Sequence, residues 1–593
     1  VKKNVFTIFI IISLAFTCNA LLPGNSTPPT TGSKILNDIM DNILRIIQDN
    51  SIYLKLRSGQ KVEKLPDLSY KKAQIDNEKS KSFLEKLLQI KPSDLSYKET
   101  LTLGKIEWQL KTFVDGFQFY SLSFPIAPYS SQIPEINRFF TEYPFTKKED
   151  PGQYLKLADQ YPHAIEQILS LLQEQYREQI VYPKEGLLPI IAYYESLLQP
   201  AEKSFLYVSP GRLKTAGIFK NPTEADQFKK KLTQIISTRI NPALEKLLSF
   251  IKGDYLNAAP GNVGLWQYPG GKEYYKYLVK ANTELDITPE EIHQTGLEQL
   301  EILNKELDAV RREIKFEGDL ETFRLFIKND PQFRLNSAEE MGERMMKFKE
   351  QAEIQLPRFF LEIPAAPCDV KRLEPALEAT MTYGFYTPPM PPDNKGYYHY
   401  NGSNPKEKNR LNMACAALIL HELVPGHHFH IAYQSKTPGT HPLEKEMFNT
   451  AYTEGWGEYA SSLGEEMGIY KDPYERLGRI MLDMFVTVRL VVDTGMNFYQ
   501  WPRQKAKDMM KKYLLTSDKE IESETLRYSI DIPAQALAYK IGHLKIRELR
   551  KKTEQALGPK FDLREFHRAI LENGAMPLFL LENHTRHFID SKK

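Results

Sequence analysis

Apolar residues recur at steps of three and four through most of the chain, the spacing that puts them on one stripe of an α-helix. In "TPEEIHQTGLEQLEILNKELDAVRREI" (288–314) the stripe is Leu297, Leu300, Leu303, Leu307, Val310 and Ile314. Thr288 is placed as its N-cap, Pro289 sits in the first turn, and Glu291 completes a capping box. Similar stripes run through "KILNDIMDNILRIIQ" (34–48) and "AIEQILSLLQEQYREQI" (164–180). No strand–helix alternation and no repeat of fixed period interrupts them. The exception is "YYHYNGSNP" (397–405), aromatic-rich and bounded by Gly and Pro, which predicts a short strand or hairpin. The expected fold class is mainly α, with a small central β element.

One helix departs from the amphipathic pattern. Every residue from Met413 to Leu420 is apolar, and a helix apolar on all sides is a buried one. It runs directly into "HELVPGHHFH" (421–430), so His421 and Glu422 arrive where little water can solvate them. A buried carboxylate needs a cation, a proton or strong hydrogen bonds, and a metal would satisfy both residues. The H-E-x-x-H spacing of zinc hydrolases, however, puts Pro425 where the second histidine should stand. In an unbroken helix position i+6 faces the wrong side, and i+7 lies about 10 Å along the axis. Pro425 cannot donate to the His421 carbonyl and its ring clashes there, while Gly426 adds backbone freedom. A break at Val424–Gly426 is therefore expected, swinging His427, or alternatively His428, back toward His421. His430 is expected beside the site or at the surface. For a third ligand, "YTEGWGEYASSLGEEMG" (452–468) offers Glu454 and, one turn later, Glu458.

Composition narrows the class without changing this picture. The formal net charge is +2 and charged residues make up 26% of 593, which argues against nucleic acid or an anionic surface as partner. Basic runs such as "FKKK" (228–231) and "KIRELRKK" (545–552) are broken by apolar residues at helical spacing and read as solvated helix faces. Lys2 and Lys3, an apolar run from Val5 to Thr17 and a small-residue exit read as a secretory signal peptide over residues 1–20, cleaved after Ala20. The run is too short for a stable membrane span. Ala15-Phe16-Thr17 is a poor lipidation match, so lipid anchoring at Cys18 is the weaker reading, and a secreted or periplasmic location is expected. Residues 21–34 read as a flexible leader, 35–270 as an N-terminal helical region and 271–593 as the catalytic region, the two interleaved in one fold. Cys368 and Cys415 do not make a disulfide scaffold, and Cys415 reads as a buried free thiol. Glycosylation sequons stand at Asn25, Asn401 and Asn583.

"HELVPGHH" with "EGWGEYA" and "RYSIDIPAQALAYKIG" (527–542) resembles the bacterial DUF885 family of predicted secreted or lipoprotein metallohydrolases. "YYKYLVKANTELDITPEEIHQTGLEQL" (274–300), "FRLNSAEEM" (333–341), "YYHYN" (397–401) and "NGAMPLFLLE" (573–582) extend the resemblance over roughly residues 35 to 590. It implies a large helical, zincin-like metallopeptidase fold with a deep active-site channel, distantly similar to M32 carboxypeptidases and angiotensin-converting enzyme. The family pattern places Glu at 454 and an apolar residue at 458, so Glu458 is a departure, as is Ala534 where Gly is usual. Alignment to the distant peptidases selects Glu458 instead.

The implied ligands are thus His421, His427 and Glu454, with His428 and Glu458 as alternates, holding one zinc ion; manganese and cobalt are further candidates. A metal there lowers the pKa of a water and polarises a carbonyl. Glu422, which adjoins a ligand without being one, would act as general base. Arg527 and Tyr528 resemble the tyrosine-bearing segment of the angiotensin-converting enzyme group, making Tyr528 the first choice of oxyanion donor, with Tyr539 and Lys540 as alternates. The expected function is zinc-dependent hydrolysis of short peptides. The alternatives are a non-peptide amide hydrolase and a non-catalytic metal-binding protein. "TPPMPPDNKGYYHYN" just upstream of the histidines would supply an edge strand for an extended peptide.

Overall fold

The computed structural model describes residues 30–593, apart from 58–59, 129–130, 210–211, 213–216, 220–221, 375–377, 379–382, 391–393, 407–411 and 438–439. The expected signal segment, residues 21–29 of the leader and the Asn25 sequon lie outside the described residues. The last residues of the expected leader belong to a helix, Thr31–Asn50. The fold is mainly helical with one small sheet, and the described residues divide into two compact units. The smaller comprises Asp41–Lys86 and Phe113–Val263; the larger comprises residues 30–40, Leu87–Thr112 and Gly264–Lys593.

In the smaller unit the helix Asp150–Arg177 buries Tyr154, Leu157, Tyr161, Ile165, Ile168 and Leu172, a three–four stripe that sinks into the unit's core. The helix Asn241–Phe250 packs against it and against Lys184–Leu197.

Nine helices of the larger unit position the candidate site. In chain order they are α1 (Gly271–Thr283), α2 (Pro289–Glu313), α3 (Ala338–Phe359), α4 (Cys415–Glu422), α5 (His427–Lys436), α6 (Thr450–Ser462), α7 (Pro473–Asn497), α8 (Asp518–Leu526) and α9 (Leu537–Leu557). A π-turn, Arg527–Asp531, follows α8 directly. The capping box of α2 forms in both directions, with Thr288 Oγ1 accepting from the Glu291 amide (3.2 Å) and Glu291 Oε2 accepting from the Thr288 amide (2.8 Å). The buried stripe starts earlier than the leucine spacing suggests. Ile292 and Gly296 are buried while Leu297 and Ile314 are only partly so. The reason is Gly296: a Cβ there would stand 2.7 Å from Val491 and 2.8 Å from Leu490, so the glycine lets α2 lie close on α7.

The sheet has the order β1-β3-β2, from β1 (Cys368–Arg372), β2 (Gly384–Met390) and β3 (Lys395–Tyr400). The "YYHY" stretch is its central strand, parallel to β1 (Cys368 opposite Gly396) and antiparallel to β2 (Thr387 opposite Tyr397). Gly396, Tyr398 and Tyr400 point inward, and the Tyr400 hydroxyl donates to the Ala338 carbonyl at the start of α3 (2.9 Å). β2 is an edge strand, though Pro388 and Pro389 leave it without amide donors at two positions. Cys368 and Cys415 are both buried and form no disulfide. Asn401 is 1% exposed and its amide donates to the Glu378 carbonyl, so that sequon is closed to glycosylation.

The all-apolar segment behaves as its composition requires. α4 is buried from Cys415 through His421, and α7, which passes beside it, is buried from Leu477 to Asn497.

Ala534 adopts φ +66°, a left-handed conformation that costs an L-residue roughly 1–2 kcal/mol. Ala534→Gly relieves this and gives back about 0.5–1 kcal/mol through glycine's backbone entropy. The expected outcome in a thermal melt is a small upward shift of the midpoint.

Candidate metal centre

α4 ends at Glu422, and the chain then leaves helical geometry. Leu423 has φ −110°, ψ −90°, the Val424–Pro425 peptide is cis, and Gly426 has φ −80°, ψ −129° before α5 begins at His427. The Pro425 carbonyl accepts from Trp456 Nε1 of α6 (2.9 Å), which ties the break to the next helix. Gly426 is required by space: a Cβ would lie 1.8 Å from the His421 carbonyl oxygen. Through this folded-back connection His427 returns to His421, their ring centroids 4.6 Å apart and nearly perpendicular.

α6 presents Glu454 to both rings. Its Oε2 is 3.3 Å from His427 Nε2 and 3.8 Å from His421 Nε2. Among the described residues, His421, His427 and Glu454 form the group suited to a metal, with one ligand atom from each and all within 4.8 Å of one another. The three side chains are 7, 12 and 13% exposed, which leaves an approach. Two imidazoles and one carboxylate are the donor set of a catalytic zinc with an open position, so the residues present fit the ion that the motif implies.

The glycines of "EGWGEYA" explain how α6 comes so near. A Cβ on Gly457 would meet the His421 imidazole at 2.8 Å, and one on Gly455 would meet Gly542 of α9 at 2.4 Å. Trp456, between them, is fully buried. The N-terminus of α6 has no side-chain cap of its own; Glu284, buried just past α1, accepts from the Ala451 amide (3.3 Å).

Glu458, one turn after Glu454, meets the other side of His421, its Oε1 3.1 Å from Nδ1. Its second oxygen accepts from Arg479 (3.0 Å), which also reaches Asp483 (3.4 Å), and Asp483 takes Lys540 (2.5 Å). Glu458 therefore orients His421 rather than joining the ligand triangle, and Lys540 is committed to Asp483. A carboxylate this close to Nδ1 favours a proton there and so leaves Nε2 to ligate, though the pair does not reach hydrogen-bond geometry. Glu458→Gln is expected to weaken zinc affinity roughly 10–100-fold while the ligands stay in place, as read by competition against a chromogenic chelator.

Electrostatics follow from this packing. Burial works against a charged His421, but Glu454 and Glu458 override it and hold the imidazole up to about 10. Burial also opposes ionisation of Glu454, yet His421 and His427 hold it far below the usual carboxylate range. A cluster that stabilises positive charge so strongly at its centre offers what a divalent cation needs. Burial pushes Glu422 above the usual range; the histidines pull it down, and Glu454 and Glu458 add to the rise. Its carboxylate accepts no hydrogen bond from a described residue.

The remaining expected residues separate. The Tyr386 hydroxyl donates to His428 Nδ1 (2.9 Å), and His428 Nε2–H donates to the Ala366 carbonyl (2.9 Å), so neither nitrogen faces the cluster. Burial lowers His428 to about 4. His430 is buried with Nε2 3.4 Å from His427 Nδ1, behind that ligand. Tyr528 is fully buried with its hydroxyl donating to Glu524, and Arg527 donates to Gln535 (3.0 Å). Tyr539 is the tyrosine at the centre, its partly exposed ring stacked on His421 at 6.3 Å and 12°.

Arg479, Asp483 and Arg489 escaped the sequence reading. Their signal is in "LGRIMLDMFVTVRLVVDTGMN" (477–497): charges inside an otherwise apolar helix must find partners where they are buried.

A family model described as "Bacterial protein of unknown function (DUF885)" matches residues 54–584. No curated protein matches the chain. A crystal structure described as a "putative lipoprotein" from Colwellia psychrerythraea is similar with TM-score 0.85 at 22% identity, covering 95% of this chain and 100% of that one. A second "putative lipoprotein of unknown function", from Shewanella oneidensis, gives TM-score 0.73 at 17% identity, covering 93% and 99%. These likenesses show the fold. Among the described residues no helix is long and apolar enough to cross a membrane.

Proposed function

We propose that this chain, which belongs to the DUF885 family, is an exported zinc-dependent hydrolase of peptide bonds in short peptides. One observation carries the reading: the triangle of His421, His427 and Glu454 stands beside a half-buried carboxylate, Glu422, that accepts no hydrogen bond from a described residue. His421, His427 and Glu454 would hold the ion. Zinc so held supplies Lewis acidity toward a carbonyl oxygen and lowers the pKa of a water.

The chain's own groups supply the rest. The Glu422 carboxylate takes a proton from the attacking water and delivers it to the nitrogen of the leaving amine as the C–N bond breaks. Its burial raises its proton affinity, which suits a group that must both accept and return a proton. The Tyr539 hydroxyl, on the ring stacked over His421, donates to the oxyanion that develops on the former carbonyl. Tyr528, the first expectation for this role, has its hydroxyl engaged by Glu524.

Metal analysis tests the reading. Protein reconstituted with zinc should carry one ion per chain, and Glu454→Ala should lose it. Chelation should abolish hydrolysis of short peptides and added zinc should restore it. Hydrolysis that persists unchanged after complete metal removal overturns the proposal.

A further inference from the structure

Beyond Tyr539 the structure holds more positive charge than its own carboxylates balance. Arg489, on α7, lies 4.9 Å from the Tyr539 ring centroid and 4.2 Å from that of Phe485. Arg527, in the π-turn, donates to Gln535 on the segment leading into α9. Both are guanidinium groups that stay ionised. Facing them is Glu524, 3.4 Å from Arg489 and 4.0 Å from Arg527, whose carboxylate also accepts from the Tyr528 hydroxyl.

A second acid nearby is Asp493. Its oxygens are taken by Tyr275 (2.8 Å), Asn497 (3.1 Å) and the Ala534 amide (3.0 and 3.1 Å). Burial pushes it up to about 7, so it offers at most part of a charge. Among the described residues, Glu524 is the carboxylate that both guanidiniums approach, and the Nε of each is buried without a hydrogen-bond partner. An uncompensated cation of this kind is costly unless an anion arrives. The aromatic rings around Arg489 account in part for its burial. Arg527 has no such close stacking, and its side chain is the more accessible of the two, 16% exposed against 6%.

We infer that Arg527, supported by Arg489 and Gln535, receives a carboxylate of the substrate, which makes the enzyme selective for bonds near a free C-terminus. This deepens the hydrolase reading and rests on it. The Tyr539 ring centroid lies 6.3 Å from that of His421 and 4.9 Å from the Arg489 guanidinium, which puts Arg489 about three residues of extended chain from His421; Arg527 stands beyond it, across the shared Glu524. A carboxylate on a guanidinium is the strong, geometrically specific pairing that would fix such a peptide end. An aspartate or glutamate side chain carries the same group, and the test separates the two sources.

The experiment uses zinc-loaded Glu422→Gln protein, which holds peptides without consuming them. It is titrated calorimetrically with Ala-Ala-Phe, with the C-terminal amide of that peptide, and with an amidated peptide containing an internal glutamate. The free acid should bind roughly tenfold or more tighter than the amide. That ratio should collapse when Arg527→Gln is added and survive in part with Arg527→Lys, which keeps the charge. Equal affinity of acid and amide overturns the inference, as does a preference that Arg527→Gln leaves intact. Tight binding of the glutamate-containing amide overturns the C-terminal assignment. The acid–amide comparison needs no arginine variant, so it decides even where Arg527→Gln fails to fold. Turnover of Ala-Ala-Phe by wild type is read separately. Selective binding without turnover leaves the role of Arg527 standing while the hydrolase reading falls.

Discussion

Glu422→Gln leaves the chain folded and zinc-loaded but lowers kcat on short peptides by roughly 10²–10⁴-fold, the usual worth of a positioned general base. The substitution keeps the shape of the side chain and removes its ability to hold a proton. It breaks no hydrogen bond, because the Glu422 carboxylate accepts none from a described residue. It also removes a charge that partial burial disfavours, so it costs the fold little. The loss should fall on kcat with KM nearly unchanged, since Glu422 handles a proton and is not needed to grip the peptide. Steady-state kinetics beside zinc content check this. A variant that keeps its turnover places the base elsewhere.

Gly426→Ala is the second large effect, and it touches no ligand. The added methyl would stand 1.8 Å from the His421 carbonyl oxygen and 2.5 Å from that of Leu420. Both are backbone atoms, so no flexible side chain can give way. The break between α4 and α5 must open, and His427 moves with it. Overpacking of this kind costs about 1–3 kcal/mol or more. A displaced ligand should lower zinc affinity beyond the 10–100-fold typical of losing an orienting group. Gly152→Ala is the control. It lies in the helix Asp150–Arg177 with nothing within 4 Å of its Cβ, and it should leave both the melting midpoint and zinc binding unchanged or slightly improved. Chelator competition and thermal melts on the two variants read the contrast.

These residues also mark how far the sequence could be read. The helical class was legible because the three–four spacing of Leu300, Leu303, Leu307 and Val310 has one good physical solution. The burial of α4 was legible because Met413–Leu420 contains nothing for water to hold. Pro425 announced a break in the helix, since it removes a donor and adds a clash. Where the chain goes after that break depends on the dihedrals of Leu423, Val424, Pro425 and Gly426 together, which no periodicity encodes. His427 and His428, one residue apart, therefore stayed unresolved until their partners appeared: Glu454 for one, Tyr386 and Ala366 for the other.

Glu454 and Glu458 posed the same difficulty in another form. One turn apart on a single helix face, both were bound to approach His421, and they do, from opposite ring nitrogens. Arg479 decides between them by engaging Glu458, and it comes from a helix the motif does not include. Tyr528 lies within the π-turn at Arg527–Asp531, and the left-handed Ala534 stands between that turn and Tyr539. One hydroxyl meets Glu524 and the other ring lies over His421. The glycines at 455, 457 and 542 carry no chemistry of their own. Their role, allowing α6 to touch both α9 and His421, exists only once the helices are side by side.

The central claim is that this constellation hydrolyses peptides. Its most direct test is digestion of a mixed library of short peptides, read by mass spectrometry, with zinc-loaded wild type run beside zinc-loaded Glu422→Gln. The account predicts products that appear with wild type and are absent with the variant, and the ends that shorten identify the mode of cleavage. A folded, zinc-loaded wild-type protein that yields no products, or products that Glu422→Gln forms equally well, contradicts it.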